Sequence, residues 1–322
     1  MAAPHRLKGP PTRVIARRGH VREAQENTLA ALEAALRSGA DGAAVDVATT
    51  RDGTLVCFAD DPPTRARLLG CAARSLAERD ADEVASLELP AEVRYGSDAF
   101  CYGATAGIAR LDDALELLAE GSLAVLRLAP PTSSLPNAPT YRVAGRAAEL
   151  VQRMGLLDRV VVTSSDALAL HRARRATRGR IHTAFEWNDS AALVGAWRRR
   201  EEAAQDAAER TWRRHVVRAL DRVKTSGPAR RLLGSATAAA IEFTALGVEL
   251  IHDLSSRGSL TGTFTLFPLD LDGIGHGLDG TLQARILARL VANGLDWVET
   301  DDPQRARAVV DRGWAAALVP HR

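Results

Sequence analysis

Short apolar runs alternate with longer stretches of helical spacing along most of this chain. Val14–Ala16 is an apolar run ahead of a glycine-containing loop. Asn27 or Thr28 supplies an N-cap for a helix through about Arg37, and Ser38-Gly39 ends it. Gly42–Ala48 and Thr54–Phe58 read as strands joined by a hairpin turn at Asp52-Gly53. Further helices are predicted over Leu111–Ala119, over Arg142–Arg153, from an N-cap in Ser164-Ser165-Asp166 to about Gly179, and over 281–293. Further strands are predicted over Leu123–Leu128, Val160–Thr163 and Ile181–Phe185, around Val248–Ile251, and over Gly262–Leu266 and Leu295–Glu299. Repeated strand-then-helix units imply a parallel sheet with helices packed outside, and eight such units close a barrel.

Three stretches interrupt this rhythm. Residues 62–107 read as irregular, with Pro62-Pro63 at their start and a short helix near Asp80–Leu87. The Pro-rich stretch 130–139 reads as a loop. Residues 190–233 form a long Arg-rich helical pattern with Leu193, Trp197, Ala204, Ala208, Trp212, Val216 and Leu220 on its apolar stripe, broken at Ser226-Gly227-Pro228. Such a helix lies on an anionic membrane surface, docks a protein partner, or packs its stripe on its own barrel with the charges solvated.

Composition narrows the class. A length of 322 residues suits a single α/β barrel with insertions, so the whole chain, 1–322, is read as one domain. Aromatic residues make up only 4%, so the core is built mainly from Ala, Leu and Val. A net charge of +2 argues against a dedicated nucleic-acid binder. Cys57, Cys71 and Cys101 show no C-x-x-C spacing, which points to a reducing compartment and no structural zinc. The N-terminal residues hold no signal-like apolar run, and no stretch approaches 18 apolar residues, so the expected location is the cytoplasm.

Residues 15–61 carry a more specific pattern, IARRGHVREAQENTLAALEAALRSGADGAAVDVATTRDGTLVCFADD. Arg18-Gly19, Glu26-Asn27-Thr28, Gly39-Ala40-Asp41, Asp46-Val47, Asp52-Gly53 and Asp60 fall in the order and spacing of I-A-H-R-G, P-E-N-T, G-A-D-x-x-E-x-D-V, T-x-D-G and H-D. The run from Gly294 to Pro303 likewise matches G-x-D-x-x-x-T-D-x-P. The chain thus resembles the glycerophosphodiester phosphodiesterase family. The resemblance implies a (β/α)8 TIM barrel of the PLC-like phosphodiesterase type. It places the small family insertion at 62–107 and an added helical insertion, 190–233, in the second half.

The resemblance also implies phosphoric diester hydrolysis in lipid and glycerophosphodiester metabolism, with a divalent cation, Mg or Ca, and two histidines as acid and base. The chain departs from that pattern where the chemistry lies. The first histidine is Arg17, the metal-binding Glu is Ala44, and the second histidine is Ala59. The strand that brings the third carboxylate reads Ala124-Val125-Leu126-Arg127-Leu128. A hard cation needs several oxygen ligands, and Asp46 alone remains. Arginine stays protonated and relays no proton, so Arg17 stabilises an anion without acting as acid or base. The expectation is a pseudoenzyme that needs no cofactor and binds an anionic or phosphorylated small molecule through Arg17, Arg18, Asp46, Asp60 and Arg127. Against it stands an ion-paired, closed mouth, in which Arg17 and Arg18 pair with Asp46, Glu26 and Asp60. The alternative is an active hydrolase or lyase with a site rebuilt from His20, His276, Asp46, Asp60 and Asp272.

Overall fold

The computed structural model describes residues 12–317 apart from 71–72, 97, 120, 129–137, 188–237, 244–245, 257 and 270–279. In chain order its elements begin with β1 (Arg13–Arg17), α1 (Leu29–Arg37), β2 (Gly42–Thr49), β3 (Leu55–Cys57), α2 (Pro62–Leu68) and α3 (Ala81–Ala85). The short strands β4 (Glu88–Leu89), β5 (Glu92–Tyr95), β6 (Asp98–Cys101) and β7 (Ala106–Gly107) follow. Then come α4 (Leu111–Leu118), β8 (Leu123–Arg127), α5 (Ala138–Arg153), β9 (Val160–Ser164), α6 (Ala167–Ala176) and β10 (His182–Trp187). The last are β11 (Ala238–Glu242), α7 (Val248–Ser256), β12 (Leu260–Leu266), α8 (Gly280–Ala292), β13 (Trp297–Thr300) and α9 (Pro303–Ala317).

Eight parallel strands, in the order β1-β2-β8-β9-β10-β11-β12-β13, close on themselves because β1 pairs with both β2 and β13. This is the expected barrel. The hairpin at Asp52-Gly53 turns β2 into β3, which adds to β2 as an antiparallel ninth strand. Thr28 is the N-cap of α1, its hydroxyl accepting from the Ala31 N–H, and Ser38 closes the helix.

Two strand and loop readings are corrected. Val248–Ile251 is the start of α7, and its buried Leu250, Ile251 and Leu254 follow helical spacing. The sixth barrel strand is instead Ala238–Glu242, an alanine-rich run with little intrinsic strand preference that is buried on both faces. The stretch 62–107 is also more ordered than it reads. Pro62 begins α2 behind the Asp61 cap, where a missing N–H costs nothing, and β4–β7 and β5–β6 form two small antiparallel pairs. The Arg-rich pattern at 190–233 lies wholly outside the described residues.

Alternation along each strand divides the barrel into an outer face packed on helices and an inner face. Ile15, Ala44, Leu123, Val125, Val161, Ala184, Ala238, Ala240, Leu260, Phe264 and Trp297 fill the interior. Trp297 is the bulky member. It stands beside Gly262, where even a Cβ would come within 1.9 Å of the indole ring.

Candidate functional site

The C-terminal ends of the strands carry a layer of charged side chains above the apolar filling. Arg17 ends β1, Asp46 lies on β2, and Arg127 ends β8 opposite Asp46 in the strand register. Arg18 follows β1 with φ 60°, a left-handed conformation that costs an L-residue about 1 kcal/mol or more. Two backbone bonds hold it there: the Arg18 N–H donates to Ala44 O at 2.7 Å, and the Asn27 N–H donates to Arg18 O at 2.9 Å. The Asn27 side chain then ties this loop to β2, donating to Asp46 Oδ2 at 3.1 Å and accepting from the Asp46 N–H at 3.0 Å.

This geometry delivers Arg18 between two buried carboxylates. Its Nε lies 2.6 Å from Asp46 Oδ2, and its Nη1 donates to Glu26 Oε1 at 3.1 Å. Burial works against the Arg18 charge, but Asp46 and Glu26 more than overcome it and hold the pKa above the usual value. Burial likewise opposes the Asp46 charge, and Arg18, Arg127 and Arg17 together keep its pKa below the ordinary carboxylate range. Glu26 also accepts from Arg67, whose guanidinium lies over the Tyr95 ring.

Arg127 turns mainly to Glu186 on β10, with Nε 3.2 Å from Oε1, and sits 3.9 Å from Asp46 Oδ1. Glu186 raises its pKa. Thr163 of β9 donates to the same Glu186 oxygen at 2.6 Å. Asp46 Oδ1 itself is buried and has no hydrogen-bond partner among the described residues.

Arg17 is the exception in this layer. Its one ion-pair contact among the described residues is to Asp301 Oδ2, at a long 3.7 Å. Burial and then the neighbouring Arg18 pull its pKa below the usual guanidinium value. Burial raises the pKa of Asp301, which also accepts from the Leu269 N–H at 3.0 Å.

Asp60 stands apart from these arginines. It accepts from Arg65 at 2.7 Å, Ser75 at 2.5 Å and the Leu76 N–H at 3.0 Å, and so anchors the insertion that follows β3. His20 is buried, and neither ring nitrogen has a hydrogen-bond partner among the described residues. Burial lowers its pKa, and the charges acting on it are Glu23, Asp302 and Arg22 rather than the mouth groups. His276 and Asp272 lie outside the described residues.

Three interior carboxyls complete the layer and were not anticipated. Glu186, Glu242 and Glu299 are all buried, on β10, β11 and β13. Their signal in the sequence is a lone acid inside an otherwise apolar strand, in Phe185-Glu186-Trp187, Ile241-Glu242-Phe243 and Val298-Glu299-Thr300.

A family model, the glycerophosphoryl diester phosphodiesterase family, matches residues 18–249. The chain belongs to that family. Over 47 residues it is 53% identical to the Probable glycerophosphodiester phosphodiesterase 1 of Mycobacterium tuberculosis, a match spanning 17% of that protein's length. It is 46% identical over 54 residues to the glycerophosphodiester phosphodiesterase of Caldanaerobacter subterraneus, spanning 22% of it. Among solved structures, a chain from Silicibacter pomeroyi DSS-3 shares the fold with a TM-score of 0.67 at 19% identity, over 97% of this chain and 98% of that one. A phosphodiesterase of Oleispira antarctica, solved with its product sn-glycerol-3-phosphate, has a TM-score of 0.60 at 19% identity, over 94% of this chain and 97% of that one.

The divalent cation implied by the family can be tested against this donor set. Ala44 and Val125 lie in the apolar interior, Ala59 is buried, and Asp46 is held by Arg18 and Asn27. Among the described residues there is no group of three His, Cys, Asp or Glu side chains that could hold a metal ion. These residues do not fit a hard cation. Nor, among the described residues, is any helix long and apolar enough to cross a membrane.

Proposed function

We propose that the barrel mouth binds a small anion, a phosphate group or a phosphorylated compound, through Arg17, and that it does so without cleaving a phosphodiester. The observation carrying this reading is Arg17. Its guanidinium stands partly buried beside a second arginine, and a carboxylate 3.7 Å away is its only ion-pair contact among the described residues. A charge drawn partly out of water gains from a close partner, and an incoming oxyanion supplies a planar, bidentate one. Asp46 Oδ1, buried and without a donor, offers an acceptor for a hydroxyl on the same ligand.

The absence of hydrolysis follows from the groups at the family's reacting positions. Arg17 keeps its proton, Ala59 has none to give, and Asp46 is neutralised by Arg18. No divalent cation takes part in this reading. The closed-mouth arrangement accounts for Arg18 with Asp46 and Glu26, but it leaves Arg17 poorly paired.

Phosphate and glycerol phosphate titrated into the wild type and into Arg17→Ala test the reading. Saturable binding that Arg17→Ala abolishes is expected, and equal affinity in the variant would refute it. A parallel screen of glycerophosphodiesters, with and without Mg or Ca, should show no turnover. Turnover lost in His20→Ala or His276→Ala would establish the rebuilt-site alternative instead.

A further inference from the structure

Beneath the arginines of the mouth lies a carboxyl that belongs to no ion pair among the described residues. Glu299 pairs in register with Ile15, so it stands one inward step below Arg17 on the adjacent strand. It is buried, and the Trp297 Nε1–H donates to its Oε1 at 3.2 Å. Charges reach it from several strands: Arg17 of β1, Arg127 of β8 and Glu186 of β10. Among the described residues, Glu242 of β11, Asp46 of β2 and Asp301, just past the end of β13, are further buried acids, while β9 contributes Thr163 and β12 Phe264.

The Trp297 N–H bond, and after it the charges of Arg127 and Arg17, favour the ionised form of Glu299. Burial first, and Glu186 second, push its pKa up to about 7 against them. An oxyanion seated on Arg17 would cancel much of that arginine's field at Glu299 and add a negative charge of its own. Both effects favour the neutral carboxyl. Linkage makes the effect reciprocal, so a protonated Glu299 also favours the anion.

We propose that the mouth takes up its anion together with a proton, and that Glu299 is the group that holds this proton. The proposal rests on the reading of the mouth as an anion site, and it deepens that reading by naming a proton-linked specificity. A compact, strongly charged oxyanion is favoured when the surroundings are slightly acid and released as they become alkaline.

Sulfate is the appropriate probe because, unlike phosphate, it does not titrate between about pH 6 and about pH 8.5. Calorimetry on the full chain, in two buffers of different ionisation heat, reads both affinity and protons taken up. If the Glu299 pKa moves by half to one unit on binding, affinity should fall about three- to tenfold from the acid to the alkaline end. A fraction of a proton should be taken up per sulfate near neutrality. Glu299→Gln, which keeps an acceptor for Trp297, should still bind sulfate but lose both the pH dependence and the uptake.

Sulfate affinity that does not change with pH, or proton uptake that persists in Glu299→Gln, would overturn the proposal while leaving the anion site standing. Loss of the uptake in His20→Gln would overturn it as well, by moving the proton to the histidine. Failure of sulfate to bind at any pH would remove the anion site itself and the proposal with it.

Discussion

Replacing Glu299 by Gln should change how the stability of the fold depends on pH. Glu299 has its folded-state pKa raised from 4.5 to about 7, first by burial and then by Glu186. As pH rises through about 4.5 the unfolded chain loses this proton, while the folded protein keeps it until about 7. The stabilisation is therefore fully present below about 4.5, decays across the interval, and is gone above about 7. At 1.36 kcal/mol per pKa unit, the interval is worth up to about 3 kcal/mol. A residue that does not ionise removes that swing.

Urea unfolding of both proteins at about pH 5 and about pH 8 checks this directly, because comparison with the variant cancels the other titrating groups. Glu299→Gln should gain about 1–3 kcal/mol on the wild type between the acid and the alkaline measurement. If the two stability curves run parallel to within about 0.5 kcal/mol, Glu299 does not carry a raised pKa and the reasoning fails.

Arg18→Ala should cost about 3–5 kcal/mol in denaturant unfolding, because Asp46 and Glu26 are left buried without their shared partner. Arg17→Ala should cost less than about 1 kcal/mol, since burial already works against that charge and its ion pair is long. Gly262→Ala should lower stability by about 1–3 kcal/mol or more, as the added methyl meets the Trp297 ring; a neutral result in thermal unfolding would mean the ring has room to move. Restoring carboxylates with Ala44→Glu and Val125→Glu should give no saturable Mg²⁺ binding by calorimetry while Arg17 and Arg127 remain.

The barrel was legible in the chain because its local rules are strong. Thr28 caps α1 where a cap was expected, and Asp52-Gly53 turns the hairpin. Alanine defeated the same reasoning at β11: Ala238–Glu242 carries no β-branched preference until Ile241, so Val248–Ile251 looked the better strand. The site was legible only in part. Arg17, Arg18, Asp46 and Arg127 do meet at one mouth, because they end or adjoin neighbouring strands. Asp60 follows the short β3, and it is held instead by Arg65, Ser75 and the Leu76 N–H. Glu186, Glu242 and Glu299 come from strands far apart in sequence, and only barrel closure brings them into one interior.

The substitutions at this mouth support one another. A hard cation needs anionic oxygens free to turn toward it, whereas each arginine added nearby both claims such an oxygen and repels the metal. Two unit charges about 4 Å apart interact by about 4 kcal/mol at an effective dielectric of 20, so a divalent ion in that position would meet about twice the repulsion from one guanidinium. Once Arg17 occupies the end of β1, a carboxylate at position 44 loses its metal and becomes a buried acid. Alanine there removes that cost, and the space goes to the apolar interior that Trp297 shares. The arginine that would repel a cation there has one long ion pair of its own among the described residues. In the proposed reading an oxyanion meets that need, and the acids deeper in the barrel set the pH at which it is held.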